Sequence, residues 1–260
     1  DMAEYYIRGA KRGELPVPNS ASGYTFTGWA LSDGSAVTSA TVARNQSMLI
    51  YAQWKTGSGE TVPPTTEPEP TEPEPVELPY KDVSENSWYR EAVEYAYREK
   101  LFKGTSEDTF SPNMSMNRAM LVTVLWRHAG EPEVDYVTNF TDISRGEYYY
   151  KALNWAQKYG IINGVSPTEF APSMEVTREQ FATILYRYCV DYWGITPENS
   201  ESLSRFDDGY RTQRYAEEAM AWAVGNGLIY GIDGMLVPRG EASRAQVATV
   251  FMRVAKNVLN

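Results

Sequence analysis

Only one cysteine, Cys189, and one histidine, His128, stand in 260 residues. A single thiol excludes an internal disulfide and a thiolate metal cluster. Cys189 lies in the apolar stretch "ILYRYCVDYW" and reads as a small core residue. His128 is placed just past the end of a helix, where a surface or capping role is expected. No run of eighteen apolar residues occurs, so no transmembrane helix is predicted. The N-terminal "DMAEYYIRGAKRGE" lacks the apolar core of a signal peptide, and the chain reads as a mature or excised fragment. Positive charge is also scarce. The net charge of −10 argues against general nucleic-acid binding.

Much of that acidity sits in one place. The segment "TGSGETVPPTTEPEPTEPEPVELP", residues 56–79, holds six glutamates and no lysine or arginine, and without them the rest carries about −4. Prolines alternating with glutamate and threonine favour extended polyproline II and cannot bury a core, so the segment reads as a disordered spacer reaching roughly 75 Å. Residues 1–55 before it read as β. "GYTFTGW" (23–29) and "MLIYAQW" (48–54) are aromatic strands and "SDGS" (32–35) is a turn signal. The pair resembles the Listeria–Bacteroides repeat, a small β-grasp-like module, although that module's usual first strand is not evident. The resemblance implies a spacer of a surface protein rather than chemistry.

After the spacer a pattern occurs three times. Asp82, Asp142 and Asp208 each follow an aromatic by two residues, at Tyr80, Phe140 and Phe206. A second aromatic follows at Trp88, Tyr148 and Tyr215, then a glycine at Gly104, Gly164 and Gly231, and a proline at Pro112, Pro172 and Pro238. The copies begin 60 and then 66 residues apart. Each copy reads as helix, loop, helix, in segments 80–130, 138–195 and 203–258. The first helix is expected to bury Trp88, Ala92, Val93, Tyr95 and Ala96. A glycine near its end is expected to supply the left-handed turn. The second helix carries one apolar stripe: Leu121, Val124 and Leu125, then Phe181, Ile184 and Leu185, then Val247, Val250 and Phe251. One copy is too small to cover its own stripe, whereas three can share a core.

Each proline is followed by an arginine six positions later and another nine beyond: Arg118 and Arg127, Arg178 and Arg187, Arg244 and Arg253. The first of each pair follows a residue suited to cap a helix, Asn117, Thr177 or Ser243. A cation in the first turn opposes the macrodipole. Free N–H groups beside a guanidinium fork would make an anion receptor for a carboxylate or phosphate. Equally, each arginine could pair with Asp82, Asp142 or Asp208 and tie helix to loop. Spacing alone leaves both readings open.

These elements, "YKDVSENSW", "FKGTSEDTFSPN" and "NRAM" in the first copy with "TREQ" and "SRAQ" in the others, resemble S-layer homology domains. The resemblance implies a mainly α fold, a pseudo-three-fold bundle of three helix-loop-helix repeats. It implies non-covalent binding of secondary cell-wall polysaccharide, in many members a pyruvylated glycan, in grooves between repeats, and an extracellular cell-wall location. Carried over, the ligand-binding residues are Arg118, Arg178 and Arg244, with Asp82, Asp142 and Asp208. Trp88, Tyr148 and Tyr215 are the stacking rings, and Gly104, Gly164 and Gly231 the turns beside them. The family's closing glutamate is Met120, Gln180 and Gln246 here. The altered start of the third copy makes its groove the first expected to be silent. No cofactor, metal, catalytic residue, nucleic acid or membrane insertion is expected, and calcium dependence is not, because "DDG" and "DG" lack the ligand spacing of a calcium loop. The alternatives are the targeting tail of a larger exported enzyme and a protein–protein scaffold.

Overall fold

A computed structural model of the chain describes residues 77–259 together with three strands, 24–30, 36–37 and 51–56. The "SDGS" turn and most of the Pro/Glu segment lie outside the described residues. The chain divides into two compact units, one up to Pro75 and one from Val76 to Leu259.

In the first unit β1 (Tyr24–Ala30) pairs antiparallel with both β2 (Ala36–Val37) and β3 (Tyr51–Thr56). The described strands β1 and β3 overlap the two aromatic segments read from the sequence. Pairing slips by one residue between Phe26 and Gly28, where the backbone takes φ +143°. A bulge favours glycine there.

The second unit is mainly α. Its helices are α1 (Arg90–Arg98), α2 (Arg118–His128), α3 (Tyr150–Lys158), α4 (Arg178–Tyr186), α5 (Glu217–Gly225) and α6 (Arg244–Asn257). A π-helical turn, Arg187–Tyr192, extends α4. The predicted stripes of α2, α4 and α6 are buried in one apolar core. Helices pair across repeats, α2 with α3, α4 with α5 and α6 with α1. The second helix of each repeat therefore covers the first helix of another.

Backbone bonds close the three repeats into a ring. The Met116 N–H donates to the Ala242 carbonyl (2.8 Å), Ala242 to Val176 (2.9 Å) and Val176 back to Met116 (2.9 Å). Each arm is one short antiparallel bridge, at Ser115 with Ser243, Asn117 with Glu175, and Thr177 with Glu241.

Three local expectations change. Trp88 precedes α1 and is exposed rather than packed on its buried face. The left-handed residue directly after each first helix is Lys100, Gly160 or Gly227, and of the later motif glycines only Gly231 is left-handed, at φ 81°. His128 is the last residue of α2 and is buried, with Nδ1 2.6 Å from the Tyr188 hydroxyl and its ring against Phe251. It is a core residue where side chains from all three repeats meet. Cys189 is fully buried, as the sequence suggests.

Candidate functional site

The caps form as expected. Asn117, Thr177 and Ser243 accept the N–H of Met120, Gln180 and Gln246 respectively. Gln180 and Gln246 return the bond to the cap backbone, completing a capping box that Met120 cannot make.

The remaining free N–H groups of these helix starts do not face an open anion site. Arg118 and Ala119 donate to the carbonyls of Met174 and Pro172, Arg178 and Glu179 to those of Gly240 and Pro238, and Arg244 and Ala245 to those of Met114 and Pro112. Each first turn is thus satisfied by the loop of the next repeat. This corrects the expectation of a helix-end receptor, because the donors such a receptor needs are already used.

The guanidiniums follow the same route. Arg118, Arg178 and Arg244 are only 6, 8 and 5 % exposed. Their Nε atoms donate to the carbonyls of Phe170 (2.7 Å), Leu236 (2.8 Å) and Phe110 (2.7 Å). Arg118 adds a bond to the Asn163 carbonyl and Arg244 one to Lys103, while Arg178 makes no matching bond to Tyr230. Arg118 lies over the Phe170 ring, and Arg244 over Phe102 and Phe110. Burial lowers the pKa of all three, Arg118 to about 10, while the charges of Asp142, Asp208 and Asp82 act the other way. The arginines remain cationic at neutral pH.

The aspartates brace the same peptides rather than pairing with the arginines. Asp82 accepts the N–H groups of Phe110 and Ser111, Asp142 those of Phe170 and Ala171, and Asp208 those of Leu236 and Val237. Ser111, Ala171 and Val237 all take positive φ, 59°, 56° and 51°, which is costly for residues with a Cβ. The paired carboxylate bonds hold that conformation. The motif glycines also serve packing. A Cβ on Gly104, Gly164 or Gly231 would strike the Tyr80, Phe140 or Phe206 ring that begins its own repeat.

The second aromatic of each repeat faces solvent, as do Tyr97, Tyr159, Tyr210 and Tyr230. Trp88, Tyr148 and Tyr215 are 67, 60 and 52 % exposed. Beside Tyr215, the third repeat carries an open cleft of about 440 Å³ whose lining includes Tyr210, Arg211, Gln213 and Arg239. The Thr212 hydroxyl on its wall is buried without a hydrogen-bond partner. The repeat expected to be silent therefore has an open cleft. Glu179 reaches this region from α4, accepting the Gln213 N–H (3.0 Å) and the Tyr215 hydroxyl (3.4 Å). Burial and then Glu179 push the Tyr215 phenol up to about 12. Nothing in the repeat pattern signals Glu179, because its counterparts are Ala119 and Ala245.

Comparison with known proteins bears on this arrangement. The model of the S-layer homology domain matches three times, at residues 79–119, 139–182 and 205–248. The Surface-layer 125 kDa protein of Lysinibacillus sphaericus is 32% identical over 177 residues, covering 66% of this chain and 14% of the relative. An endoglucanase of Bacillus sp. (strain KSM-635) is 30% identical over 178 residues, covering 67% of this chain and 18% of the relative. A cellulosome-anchoring protein of Acetivibrio thermocellus is 27% identical over 122 residues, covering 42% and 26%. The chain thus spans less than a fifth of the first two. The ring of Asp-braced loops and buried arginines is that of three S-layer homology domains carried in tandem on this chain.

Proposed function

We propose that this chain is a non-catalytic cell-surface anchoring module that binds secondary cell-wall polysaccharide outside the cell. The three repeats act as a pseudo-three-fold unit. Trp88, Tyr148 and Tyr215 are the platforms on which sugar faces stack, each beside a junction between repeats. The observation that carries this reading is that the ring at the same motif position is more than half exposed in all three repeats. Arg118, Arg178 and Arg244, with the aspartates and motif glycines, shape those junctions, and an anionic, pyruvylated glycan suits the cationic cleft of Arg211 and Arg239. Several weak sites on one polymer would raise apparent affinity by roughly 10²–10⁴. The N-terminal sheet, of Listeria–Bacteroides type, and the acidic segment serve as spacers.

The likeness to an endoglucanase supports a second, compatible reading, in which the module is the targeting tail of a larger exported enzyme. Sedimentation with purified cell-wall sacculi tests the anchor. Binding that disappears when the secondary polysaccharide is stripped is the expected result. Binding unaffected by stripping overturns it in favour of a protein or peptidoglycan partner.

A further inference from the structure

The second arginine of each motif pair has no role in the ties described above. In two repeats it is structural. Arg127 Nη1 donates to the Leu101 carbonyl (3.1 Å) and Arg253 Nη1 to the Leu228 carbonyl (3.0 Å), each closing its own repeat. The counterpart in the second repeat would be Arg187 on the Ile161 carbonyl, and that bond is not made. Among the described residues the Arg187 side chain has no hydrogen bond, ion pair or ring contact, although the residue is half-buried.

From this residue onward the backbone also differs from that of the other two repeats. The α-helix gives way to a π-helical turn at Arg187 itself, with the Trp193 N–H donating to Tyr188 five residues back (3.1 Å). The wider turn seats bulky rings: Tyr188 beneath His128, and Tyr192 edge-on to Trp155 and Tyr159 at 5.1 and 5.0 Å. Such turns are rare and concentrate at functional sites.

Position along α4 shows where Arg187 is sent. Glu179, Thr183 and Arg187 follow at four-residue spacing and so share a helix face. Glu179 on that face already holds the Gln213–Tyr215 segment of the third repeat. The Tyr215 phenol feels the positive charges of both Arg187 and Arg239, which oppose its upward shift. An unpaired guanidinium thus stands near an exposed ring, at the junction where Arg178 also makes one bond fewer than its counterparts.

We infer that Arg187, whose guanidinium is left without an internal partner, is the residue that receives a ligand carboxylate at the junction of the second and third repeats, with Tyr215 as the adjoining sugar platform. This rests on the glycan-binding reading above and makes that junction the acid-selective one. The guanidinium fork suits a sugar-borne carboxylate, and a charge-assisted bond of this kind is worth about tenfold or more in affinity.

The test uses the whole chain, with Arg187→Gln compared to wild type. Binding is measured to purified wall polysaccharide, before and after mild-acid removal of its ketal carboxylates. Wild type should lose about tenfold on removal of the carboxylates, whereas Arg187→Gln should bind both forms alike, at the weaker level, with unchanged Tm. Arg127→Gln, which loses an internal bond, should instead lower Tm and keep the preference for the acidic form. Arg187→Gln binding with the wild-type preference overturns this inference and leaves the anchor reading intact. Failure of wild type to bind either polysaccharide overturns the anchor reading.

Discussion

Arg118 and Asp142, from successive repeats, hold the same residue from two sides. The Arg118 Nε donates to the Phe170 carbonyl at 2.7 Å, while Asp142 accepts the Phe170 N–H at 2.9 Å. The relation recurs with Arg178 and Asp208 on Leu236, and with Arg244 and Asp82 on Phe110. Arginine is kept at each helix start because only its long fork reaches a carbonyl buried in the neighbouring loop. The unfavourable dipole term there, a few tenths of a kcal/mol, is smaller than one charge-assisted bond.

Arg244→Ala removes two such bonds and leaves the Phe110 and Lys103 carbonyls without their donor. We expect a loss of about 3 kcal/mol, or on the order of 10 °C in Tm for a unit of this size. Thermal unfolding followed by circular dichroism checks it. Wild-type Tm with weakened wall binding would instead make the arginine a ligand contact.

Gly164→Ala places a methyl group against the Phe140 ring and against the Ser166 and Glu169 carbonyls. The carbonyls belong to a tight turn and cannot yield, so a destabilisation of about 2–3 kcal/mol is expected. Gly146→Ala, where nothing lies within 4 Å, is the matched control and should leave Tm unchanged. Equal denaturation midpoints for the two variants would refute the packing role.

Glu175 and Glu241 are brought together where the ring closes, and the Ser115 hydroxyl donates to Glu241 at 2.5 Å. The Glu175 carboxyl is raised by its bond to Glu241, and Glu241 is lowered, first by Ser115 and then by Glu175. A raised folded pKa contributes stability that is present below the unfolded value, near 4.3, and lost as pH rises through the folded one. Glu241 contributes the reverse, lost as pH falls below that value. Stability from the pair should therefore peak near pH 4–5 and decline toward neutrality. Glu175→Gln should flatten the decline in a Tm series from pH 4.5 to 7. An unaltered slope would show that the two carboxyls do not share a proton.

The Cys189 thiol is fully buried, and burial alone drives its pKa far upward. It should stay unreactive toward an aromatic disulfide reagent in the native protein and react stoichiometrically in guanidinium chloride. Prompt native labelling would indicate opening of the second repeat.

The periodic features were the legible ones. The apolar stripes of α2, α4 and α6 and the three caps follow from spacing that one sequence displays in triplicate. The destination of polar groups was not legible. The N–H groups of Arg118 and Ala119 look free in any reading of one helix, since their partners, Met174 and Pro172, lie more than fifty residues away. For the same reason the anion-receptor reading of Arg178 does not fit a side chain 8 % exposed and bonded to Leu236. Positive φ at Ser111, Ala171 and Val237 leaves no compositional trace, because the aspartates that enforce it stand 29 residues earlier. Arg187 was visible as one of six arginines, but its triplet spacing conceals that it lacks the carbonyl bond that Arg127 and Arg253 make.

The cyclic bonds among Met116, Ala242 and Val176 carry a topological consequence. A linear solenoid has two terminal units whose outer faces need polar caps. Here the last unit clasps the first, so every unit is interior and none is a cap. Deleting one would not shorten the assembly but break its circuit, leaving unmatched surfaces at both edges of the gap, and a two-unit truncation should fail as a whole rather than keep two thirds of its grip.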